Sequence, residues 1–559
     1  MQTRNLLNSL RARLPSLRTV STQATGGITT KSVNSDKHHN DEQHELFRYT
    51  SGRWIFNEHL RLSERQLEFD VSALRSIVAS SSGQAITDIV DFSKLSEGGY
   101  NRVFQARFKD GQCVIARLPY PSTTPEHYAV ASEVATLDYL RLHGIRTPKV
   151  YAWCSTKSNT VGSEYIIMEK LDGIPLGEIW YSMTPKEQHG MMKQIVHWEA
   201  QLMSLSFPAY GSIYYRKDLT SEKKISLPGQ HDEFCMGPIA HYSWWHDRRN
   251  VLDVDAVHLY AKPRLPYERL YREIYKFRKV SPDTHIRNLL DYLRLAPFLG
   301  FGAGTALHRP VIRHPDFQPN NILVSNSNEI VGFIDWQHSS ILPLGLAAGI
   351  PQHFQNYGDP LSDELRQPPL ELPSNFDSLS PSEQASVRLT HHKRLVHFFY
   401  AAFTMRLNEV HYDAIFDNSA ILRQGLFKSA GTPWEGDSIT LKTDMIRAIQ
   451  SWGDVIASGS VQPNGGAPSS PPIQYSDEVV RETLDLHSQQ EEADIAMEQM
   501  RHALDVDVMG WVSNSEYEAA KELAGELKAR MLEAAETAED ITGVRDHFPF
   551  DDFDESVSP

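Results

Sequence analysis

Two acidic residues and one amide have the types and the spacing that metal-dependent phosphoryl transfer requires. Asp316 is followed by Asn321, and Asp335 stands a short distance further along the chain. A carboxylate and a carboxamide supply the hard oxygen ligands that Mg²⁺ prefers, and bound Mg²⁺ typically also binds substrate phosphates. A second carboxylate beside such a metal can orient or deprotonate an attacking hydroxyl. These three residues therefore predict a magnesium-dependent phosphoryl-transfer site.

A predicted β-hairpin is the element that brings these residues together. Residues 322–324 and 330–334 are apolar, and the polar segment between them favours a turn. Asn321 comes directly before the first strand, and Asp335 comes directly after the second. We therefore expect both side chains at the same open end of the hairpin, with Asp316 on the preceding loop within reach of a bound metal.

The pattern His-x-Asp-x4-Asn that begins at His314, with the later Ile-Asp-Trp around Asp335, resembles a known catalytic loop. It is similar to that of aminoglycoside phosphotransferases and their protein-kinase-like relatives. The resemblance extends over about residues 90–430. It implies that Asp316 positions or deprotonates the acceptor hydroxyl, and that Asn321 and Asp335 hold Mg²⁺. It also implies that His314 braces the loop and that ATP is the phosphoryl donor. The alternative is a set of polar residues in an ordinary turn, which the flanking hairpin disfavours.

The segment upstream matches the nucleotide-binding positions of the same family. Gly98 and Gly99 precede a predicted strand, where the family has its glycine-rich loop, although the spacing is not Gly-x-Gly-x-x-Gly. Arg117 stands where relatives usually carry a lysine, and a guanidinium can bind two oxygens at once. Glu133 stands where they carry the partner glutamate, and Glu169 falls in the expected adenine-binding hinge. The alternative for Arg117 and Glu133 is a surface salt bridge.

The order of the predicted elements indicates an α+β fold. Residues 45–173 contain strand-like runs and a single early helix, which is typical of a small β-rich lobe. Residues 174–458 are mostly helical, with a capping box at Thr184 opening one helix. The family resemblance implies that these regions are the nucleotide-binding N-lobe and the catalytic, acceptor-binding C-lobe of a protein-kinase-like bilobal fold. A linker or loop at 459–475 leads to a helical extension with an acidic tail at 476–559.

Local signals predict the bounds of single elements. A helix is expected to begin at Thr124 and Pro125, which suit the cap and the first turn, and to end at Gly144. A capping box from Ser513 to Glu516 is expected to open another helix. The other expected elements are hairpin strands at 103–108 and 114–118, strands at 149–153 and 165–168, and helices over 386–414, 477–504 and 514–536.

Residues 1–44 resemble a mitochondrial transit peptide followed by a disordered linker. No acidic residue precedes Asp36, and four arginines are spread through a stretch rich in Ser, Thr and Leu. Leu6, Leu10 and Leu17 fall on one face of a helix. An Arg-rich, acid-poor amphipathic leader predicts mitochondrial localisation and contact with the import machinery. The alternative is a disordered basic tail.

Composition disfavours several classes of protein. The 55 basic and 71 acidic residues give a net charge of −16, whereas a nucleic-acid binder usually carries a basic face. No apolar run reaches the roughly 18 residues that span a bilayer, so no transmembrane segment is predicted. The three cysteines are widely spaced, with no pair at the spacing of a zinc site or of a disulfide framework.

A narrower resemblance is to the mitochondrial group called altered inheritance of mitochondria protein nine, within the phosphotransferase superfamily. It rests on the leader, on the opening sequence of residues 47–54 and on residues 342–346. The predicted function is ATP-dependent transfer of the γ-phosphoryl group to a hydroxyl of a small molecule. The alternative is a catalytically weak or inactive nucleotide-binding scaffold, with a protein partner on the C-terminal helices. Nucleotidyl transfer ranks last.

Overall fold

The structure, a computed structural model, describes residues 45–220, 224–229, 232–245, 283–432, 437–457, 459 and 470–552. The predicted leader at 1–44 lies outside the described residues, as do most of the linker at 459–475 and the end of the acidic tail. Among the helices that the structure describes, none combines the length and the apolar character that crossing a membrane requires.

The strands in the described part of the chain form one five-stranded sheet and several smaller ones. In chain order they are β1 (Gly52–Trp54), β2 (Ile89–Glu97), β3 (Asn101–Phe108), β4 (Cys113–Pro119), β5 (Val150–Cys154), β6 (Tyr165–Glu169), β7 (Ile174–Pro175), β8 (Ser212–Tyr215), β9 (Ile225–Ser226), β10 (Phe234–Gly237), β11 (Pro310–Ile312), β12 (Ile322–Val324), β13 (Ile330–Phe333), β14 (Ile341–Pro343) and β15 (Trp511–Ser513).

The α-helices of the described residues concentrate in the second half of the chain. In chain order they are α1 (Glu58–Glu64), α2 (Val71–Ser81), α3 (Tyr128–Leu142), α4 (Pro185–Ser204), α5 (Asp283–Leu295), α6 (Leu344–Ala347), α7 (Pro360–Asp363), α8 (Pro381–Leu407), α9 (Glu409–Ile415), α10 (Asn418–Gly431), α11 (Thr440–Gln450), α12 (Trp452–Ala457), α13 (Asp477–Leu504), α14 (Tyr517–Ala534) and α15 (Ala538–His547). The α+β class and the division into a β-rich N-terminal and a helical C-terminal region are confirmed.

The five-stranded antiparallel sheet is the main element of the N-terminal lobe, with strand order β2-β3-β4-β6-β5. Phe104, Ala106 and Phe108 alternate along β3 and are buried on one face, as the two-residue period of a strand requires. Gly111 has a φ of 89° in the turn between β3 and β4, a backbone conformation that glycine adopts without steric cost. The predicted hairpin and the two later strands are confirmed.

Helix α3 carries Glu133 and begins later than the sequence predicts. The first helical residue is Tyr128, because tertiary contacts fix the preceding residue, His127, at a φ of 65°. The His127 backbone N–H donates to the Glu164 carboxylate at 2.9 Å, and its Nδ1 lies 2.9 Å from Ser155 Oγ. The predicted start at Thr124 and Pro125 is therefore wrong. The predicted end is confirmed, since Gly144 follows the helix with a φ of 79°.

Helices α4 and α8 pack together in the helical lobe. The predicted capping box of α4 is confirmed: Thr184 and Glu187 each accept a hydrogen bond from the other's backbone N–H. The single helix predicted over 386–414 is divided at Asn408. That residue leaves the helical conformation, and its side chain caps α9 by accepting from the His411 N–H at 3.3 Å.

The predicted hairpin at 322–334 is confirmed as β12 and β13. These antiparallel strands pair Ile322 with Phe333 and Leu323 with Gly332. Strand β7, the first element after the N-terminal sheet, adds a third strand on the other side of β12. The hairpin is therefore held in a small sheet at the junction of the two lobes.

The C-terminal extension packs back onto the start of the described chain. Strand β15 pairs antiparallel with β1, so that Gly52 lies opposite Ser513 and Trp54 opposite Trp511. Helices α13, α14 and α15 share an apolar cluster with Ile55. The predicted capping box from Ser513 to Glu516 is wrong, because Ser513 belongs to β15 and the N-cap of α14 makes no side-chain hydrogen bond. A partner on these helices stays a prediction.

Substitution at the β1–β15 pair tests whether the extension is part of the folded unit. Val512 is buried, whereas Val508 in the same segment is 63% exposed. Val512→Asp places a carboxylate in an apolar contact, and we expect it to lower the free energy of unfolding by about 2–4 kcal/mol. The matched variant Val508→Asp should change it by less than about 0.5 kcal/mol. Denaturant unfolding measures both values, and equal effects would show that the extension is not packed as described.

Candidate active site

The predicted catalytic loop lies between β11 and β12, at the junction of the two lobes. A single 3₁₀ turn over Pro319–Asn321 leads directly into β12. The Ile334 N–H donates to the Asn321 carbonyl at 3.0 Å. Because that bond closes the open end of the hairpin, Asn321 and Asp335 stand at the same end, as the sequence predicts.

His314 ties the loop to the end of β13 through both ring nitrogens. Its Nε2 lies 2.9 Å from the Ile334 carbonyl, and the Asp316 N–H donates to its Nδ1 at 3.2 Å. Burial lowers the pKa of His314, so the ring is neutral and carries its proton on Nε2. A ring with both nitrogens engaged is arranged as a brace.

Asp316 is exposed, and neighbouring amides orient its carboxylate. The Asn321 Nδ2 donates to the Asp316 Oδ2 at 3.0 Å and to the Asp316 backbone carbonyl at 2.9 Å. Gln318 Nε2 also donates to the same Oδ2. Gln318 was missed in the sequence analysis, although its place two residues after the aspartate could have indicated it. The result is a solvent-accessible carboxylate held in one direction.

Asp335 directly follows β13 and adopts a left-handed backbone conformation, with a φ of 63°. Its side chain is 45% exposed, and its Oδ1 lies 3.3 Å from an Arg117 guanidinium nitrogen. A positive φ in a non-glycine residue is uncommon and concentrates at functional sites. The turn directs the carboxylate towards the N-terminal lobe.

The residues at this end of the hairpin have the donor set that suits Mg²⁺. The Asn321 Nδ2 is committed to Asp316, which leaves the amide oxygen as a ligand. Asp335 contributes an accessible carboxylate. No group of three or more His, Cys, Asp or Glu residues forms a metal cage in the described ranges. Mg²⁺ usually needs only one or two carboxylates together with waters and substrate phosphates.

Arg117 connects the two lobes. It lies on β4, and its guanidinium contacts the Glu133 carboxylate of α3 on one side and Asp335 on the other. Arg117 and Glu133 are both buried. The surface salt bridge considered as an alternative is therefore wrong. A planar guanidinium with five N–H donors can reach two carboxylates together, whereas an ammonium is a compact point charge.

Gly98 and Gly99 form the turn between β2 and β3. The Gly98 N–H donates to the Asn101 carbonyl at 2.9 Å, and the space beside Gly99 is open. The contact that fixes this turn joins residues far apart in the sequence, so no local pattern predicts it. The Asn101 Nδ2 donates to Gln337 Oε1 at 2.7 Å, and both residues are buried. Since Gln337 lies two residues after Asp335, the glycine turn is docked onto the segment that follows the predicted metal site.

Glu169 lies apart from the other predicted site residues. Its carboxylate accepts from the Lys149 backbone N–H at 3.0 Å and lies 3.7 Å from an Arg141 guanidinium nitrogen. These contacts anchor the edge of the sheet at β5. The side chain of Glu169 is thus engaged there, and its backbone N–H donates to the Lys149 carbonyl at 2.8 Å. The hinge role stays a prediction.

A family comparison agrees with the geometry. Residues 91–345 match the family model described as phosphotransferase enzyme family. The match confirms the resemblance to aminoglycoside phosphotransferases, although it ends before the predicted limit near residue 430. It includes the glycine turn, Arg117, the catalytic loop and Asp335.

Individual proteins resemble larger parts of the chain. A subtelomeric hrmA-associated cluster protein of Aspergillus fumigatus is 29% identical and covers 84% of this chain and 98% of its own length. The protein named altered inheritance of mitochondria protein 9, mitochondrial, of Yarrowia lipolytica is 24% identical over 66% of this chain and 70% of its own. Its namesake in Kluyveromyces lactis is 21% identical over 66% and 72%. The names of the two yeast proteins agree with the predicted narrower resemblance.

Two solved structures resemble the chain at low identity. The streptomycin–ATP complex of APH(2")-IIa is 11% identical and covers 70% of this chain and 99% of its own, with a TM-score of 0.32. An ethanolamine kinase of Plasmodium vivax is 13% identical and covers 67% and 86%, with a TM-score of 0.28.

Removing the buried contact of the glycine turn should loosen that turn selectively. Gln337→Ala leaves the Asn101 amide without its acceptor, at a cost of about 1–3 kcal/mol. We expect faster hydrogen exchange at residues 97–101, measured by mass spectrometry. Gln112→Ala is the matched control, because Gln112 accepts from Gln84 at the opposite end of the β3–β4 hairpin. If both variants exchange alike over 97–101, the docking contact does not hold the turn.

Proposed function

We propose that the chain is an ATP-dependent phosphotransferase that transfers the γ-phosphoryl group to a hydroxyl of a small molecule. The observation that carries the proposal is the convergence of Asp316, Asn321 and Asp335 at one end of the β12–β13 hairpin, opposite Arg117. The family match over residues 91–345 supports the class of reaction.

Each residue of the proposed site has a distinct proposed role. Asp316 orients the acceptor hydroxyl and accepts its proton, since its carboxylate is exposed and held by Asn321. Asn321 and Asp335 hold Mg²⁺. When bound, the ion neutralises charge on the phosphates of ATP. His314 positions the loop and transfers no proton, because both of its ring nitrogens are engaged.

The N-terminal lobe supplies the proposed nucleotide contacts. The Gly98 N–H fixes the turn by donating to Asn101, and the backbone at the open Gly99 can approach phosphate oxygens closely because no side chain intervenes. Arg117 pairs with phosphate oxygens, and Glu133 keeps its guanidinium in the cleft. The main chain near Glu169 meets the adenine ring. Phosphate recognition thus comes from one lobe, and acceptor chemistry comes from the other.

The proposed site of action is the mitochondrion. The leader at residues 1–44 is rich in arginine and poor in acidic residues. Relatives from several yeasts are named as mitochondrial proteins. Both observations support import through the mitochondrial machinery, and a fluorescent fusion of the full chain compared with one lacking residues 1–44 tests it.

A nucleotide-binding scaffold is the second candidate function, and Arg117 is the observation that favours it. A guanidinium held by two carboxylates in the cleft is less free to follow a moving phosphoryl group than a lysine ammonium. A scaffold would bind ATP and Mg²⁺ without turnover. Measuring turnover together with the stabilisation by ATP and Mg²⁺ separates these two functions.

Removing the proposed base should abolish turnover without unfolding the protein. We expect Asp316→Ala to lower the rate of ATP hydrolysis or acceptor phosphorylation by about 10²–10⁴-fold, the usual contribution of a general base. Asp413→Ala is the matched control, because Asp413 is exposed on α9 and takes no part in the contacts described for the site. Phosphate release from labelled ATP in a mitochondrial extract provides the measurement. Equal rates in the two variants would refute the role of Asp316.

Removing the proposed metal ligand should abolish the joint stabilisation by ATP and Mg²⁺. A ligand at about 100 times its Kd raises the stability of the native state by about 2.7 kcal/mol. We expect the melting temperature of the unmodified protein to rise with ATP and Mg²⁺ together more than with either alone. Asp335→Ala should lose this increment while Asp413→Ala keeps it. The proposal fails if Asp335→Ala retains the full Mg²⁺-dependent shift.

A further inference from the structure

A cluster of hydrogen-bonded polar side chains lies beneath the catalytic loop. None of its members has a role in the proposed phosphoryl transfer. Arg313, the residue before His314, donates from Nε and Nη2 to a single carboxylate oxygen of Glu199 on α4, at 2.9 and 2.6 Å. The other oxygen of Glu199 accepts from the Tyr400 hydroxyl of α8. Glu199 and Tyr400 are fully buried.

Arg313 also reaches the chain beyond the metal site. Its Nη1 donates to the Ala347 carbonyl at 2.6 Å, and its Nη2 lies 3.0 Å from the Gly349 carbonyl and 3.2 Å from the Tyr400 hydroxyl. One guanidinium therefore joins four segments: the catalytic loop, α4, α8 and the stretch after β14.

The protonation states of this group are fixed by its surroundings. Burial and the charge of Glu199 raise the pKa of Tyr400 well above its ordinary value, so its hydroxyl stays protonated and donates. Burial and the charge of Arg313 lower the pKa of His411, which lies 4.0 Å from Glu199, well below its ordinary value. Arg313 and Glu199 form the ion pair at the centre of the group, with nitrogen and oxygen 2.6 Å apart.

Stability alone does not explain such a group. Desolvating a carboxylate and a guanidinium is costly, and well-packed apolar residues in place of a buried ion pair are often neutral or stabilising. Directed hydrogen bonds, unlike apolar contacts, fix a single geometry. The placement of Arg313 next to His314 puts that fixed geometry at the first residue of the catalytic motif.

We propose that Arg313, held by Glu199 and Tyr400, is a positioning residue that sets the backbone of the catalytic loop and so the direction of the Asp316 carboxylate. The inference rests on the proposed function for its catalytic consequence. It acts through His314: a shift of the Arg313 backbone displaces the imidazole from the Ile334 carbonyl and from the Asp316 N–H, the two contacts that hold the loop.

The test replaces the guanidinium by an ammonium at two arginines that are largely removed from solvent. Arg313→Lys keeps the positive charge for Glu199 but cannot reproduce the fork of donors. Arg423→Lys is the matched control. Arg423 is buried in the helical lobe and donates to the carbonyls of Leu299, Ser419 and Val455, none of them in the catalytic loop. Tyr400→Phe, which removes one hydroxyl, is a milder variant for use if Arg313→Lys does not fold.

Hydrogen exchange gives a readout that needs no turnover. We expect Arg313→Lys to accelerate exchange of the Asp316 and Ile334 amides at least about tenfold relative to Arg423→Lys, once both are corrected for global stability. Turnover gives the second readout. The kcat should fall about tenfold to a hundredfold, as for a misplaced catalytic group. The KM for ATP should change by a smaller factor than kcat, because the glycine turn and Arg117 lie outside the loop.

The outcomes separate this inference from the proposed function. Faster loop exchange together with a kcat that falls by a larger factor than the KM changes supports both. Faster loop exchange in a protein whose unmodified form has no turnover supports the positioning role and refutes the phosphotransferase. Exchange and kcat that are alike in the lysine variants of Arg313 and Arg423 overturn the inference, whatever the activity of the unmodified protein.

Discussion

A single buried guanidinium placed between two carboxylates is the interaction on which the arrangement of the cleft depends. Arg117 contacts Glu133 within the N-terminal lobe and Asp335 across the cleft. Removing the guanidinium would leave the buried Glu133 carboxylate without its partner in a region of low dielectric. Strand β4, helix α3 and the end of the hairpin are thus fixed relative to one another. The three side chains together carry one excess negative charge, which favours a cation at Asp335.

The two sides of the cleft are held by two separate sets of polar contacts. On the N-terminal side the ion pairs of Arg117 and the contact between Asn101 and Gln337 hold β4 and the glycine turn to Asp335 and the segment after it. On the C-terminal side hydrogen bonds converge on the catalytic loop from His314 and Arg313. Both sets of contacts meet at the stretch from Asp335 onward, so that stretch links the glycine turn to the loop that carries Asp316.

Local signals in the sequence predicted the hairpin, its two end residues and four of the five strands of the N-terminal sheet, because strand alternation and turn residues act over a few positions. Contacts distant in sequence could not be predicted in the same way. The start of α3 depends on Glu164 and Ser155, and the pairing of β15 with β1 replaced an apparent capping box at Ser513. Likewise, nothing in the residues around Arg313 indicates that Glu199 lies beneath it.

The pairing of β1 with β15 has a consequence for how the chain is made. Its two strands are separated by most of the described chain. At the usual pace of the ribosome the first strand must wait on the order of tens of seconds for its partner. During that time Thr50 and Ser51 can already bind Glu97, the residue before the glycine turn. These hydrogen bonds can hold the start of the chain against the nascent N-terminal lobe before β15 is available. The pairing of β15 with β1 and the packing of the last helices follow only after synthesis ends.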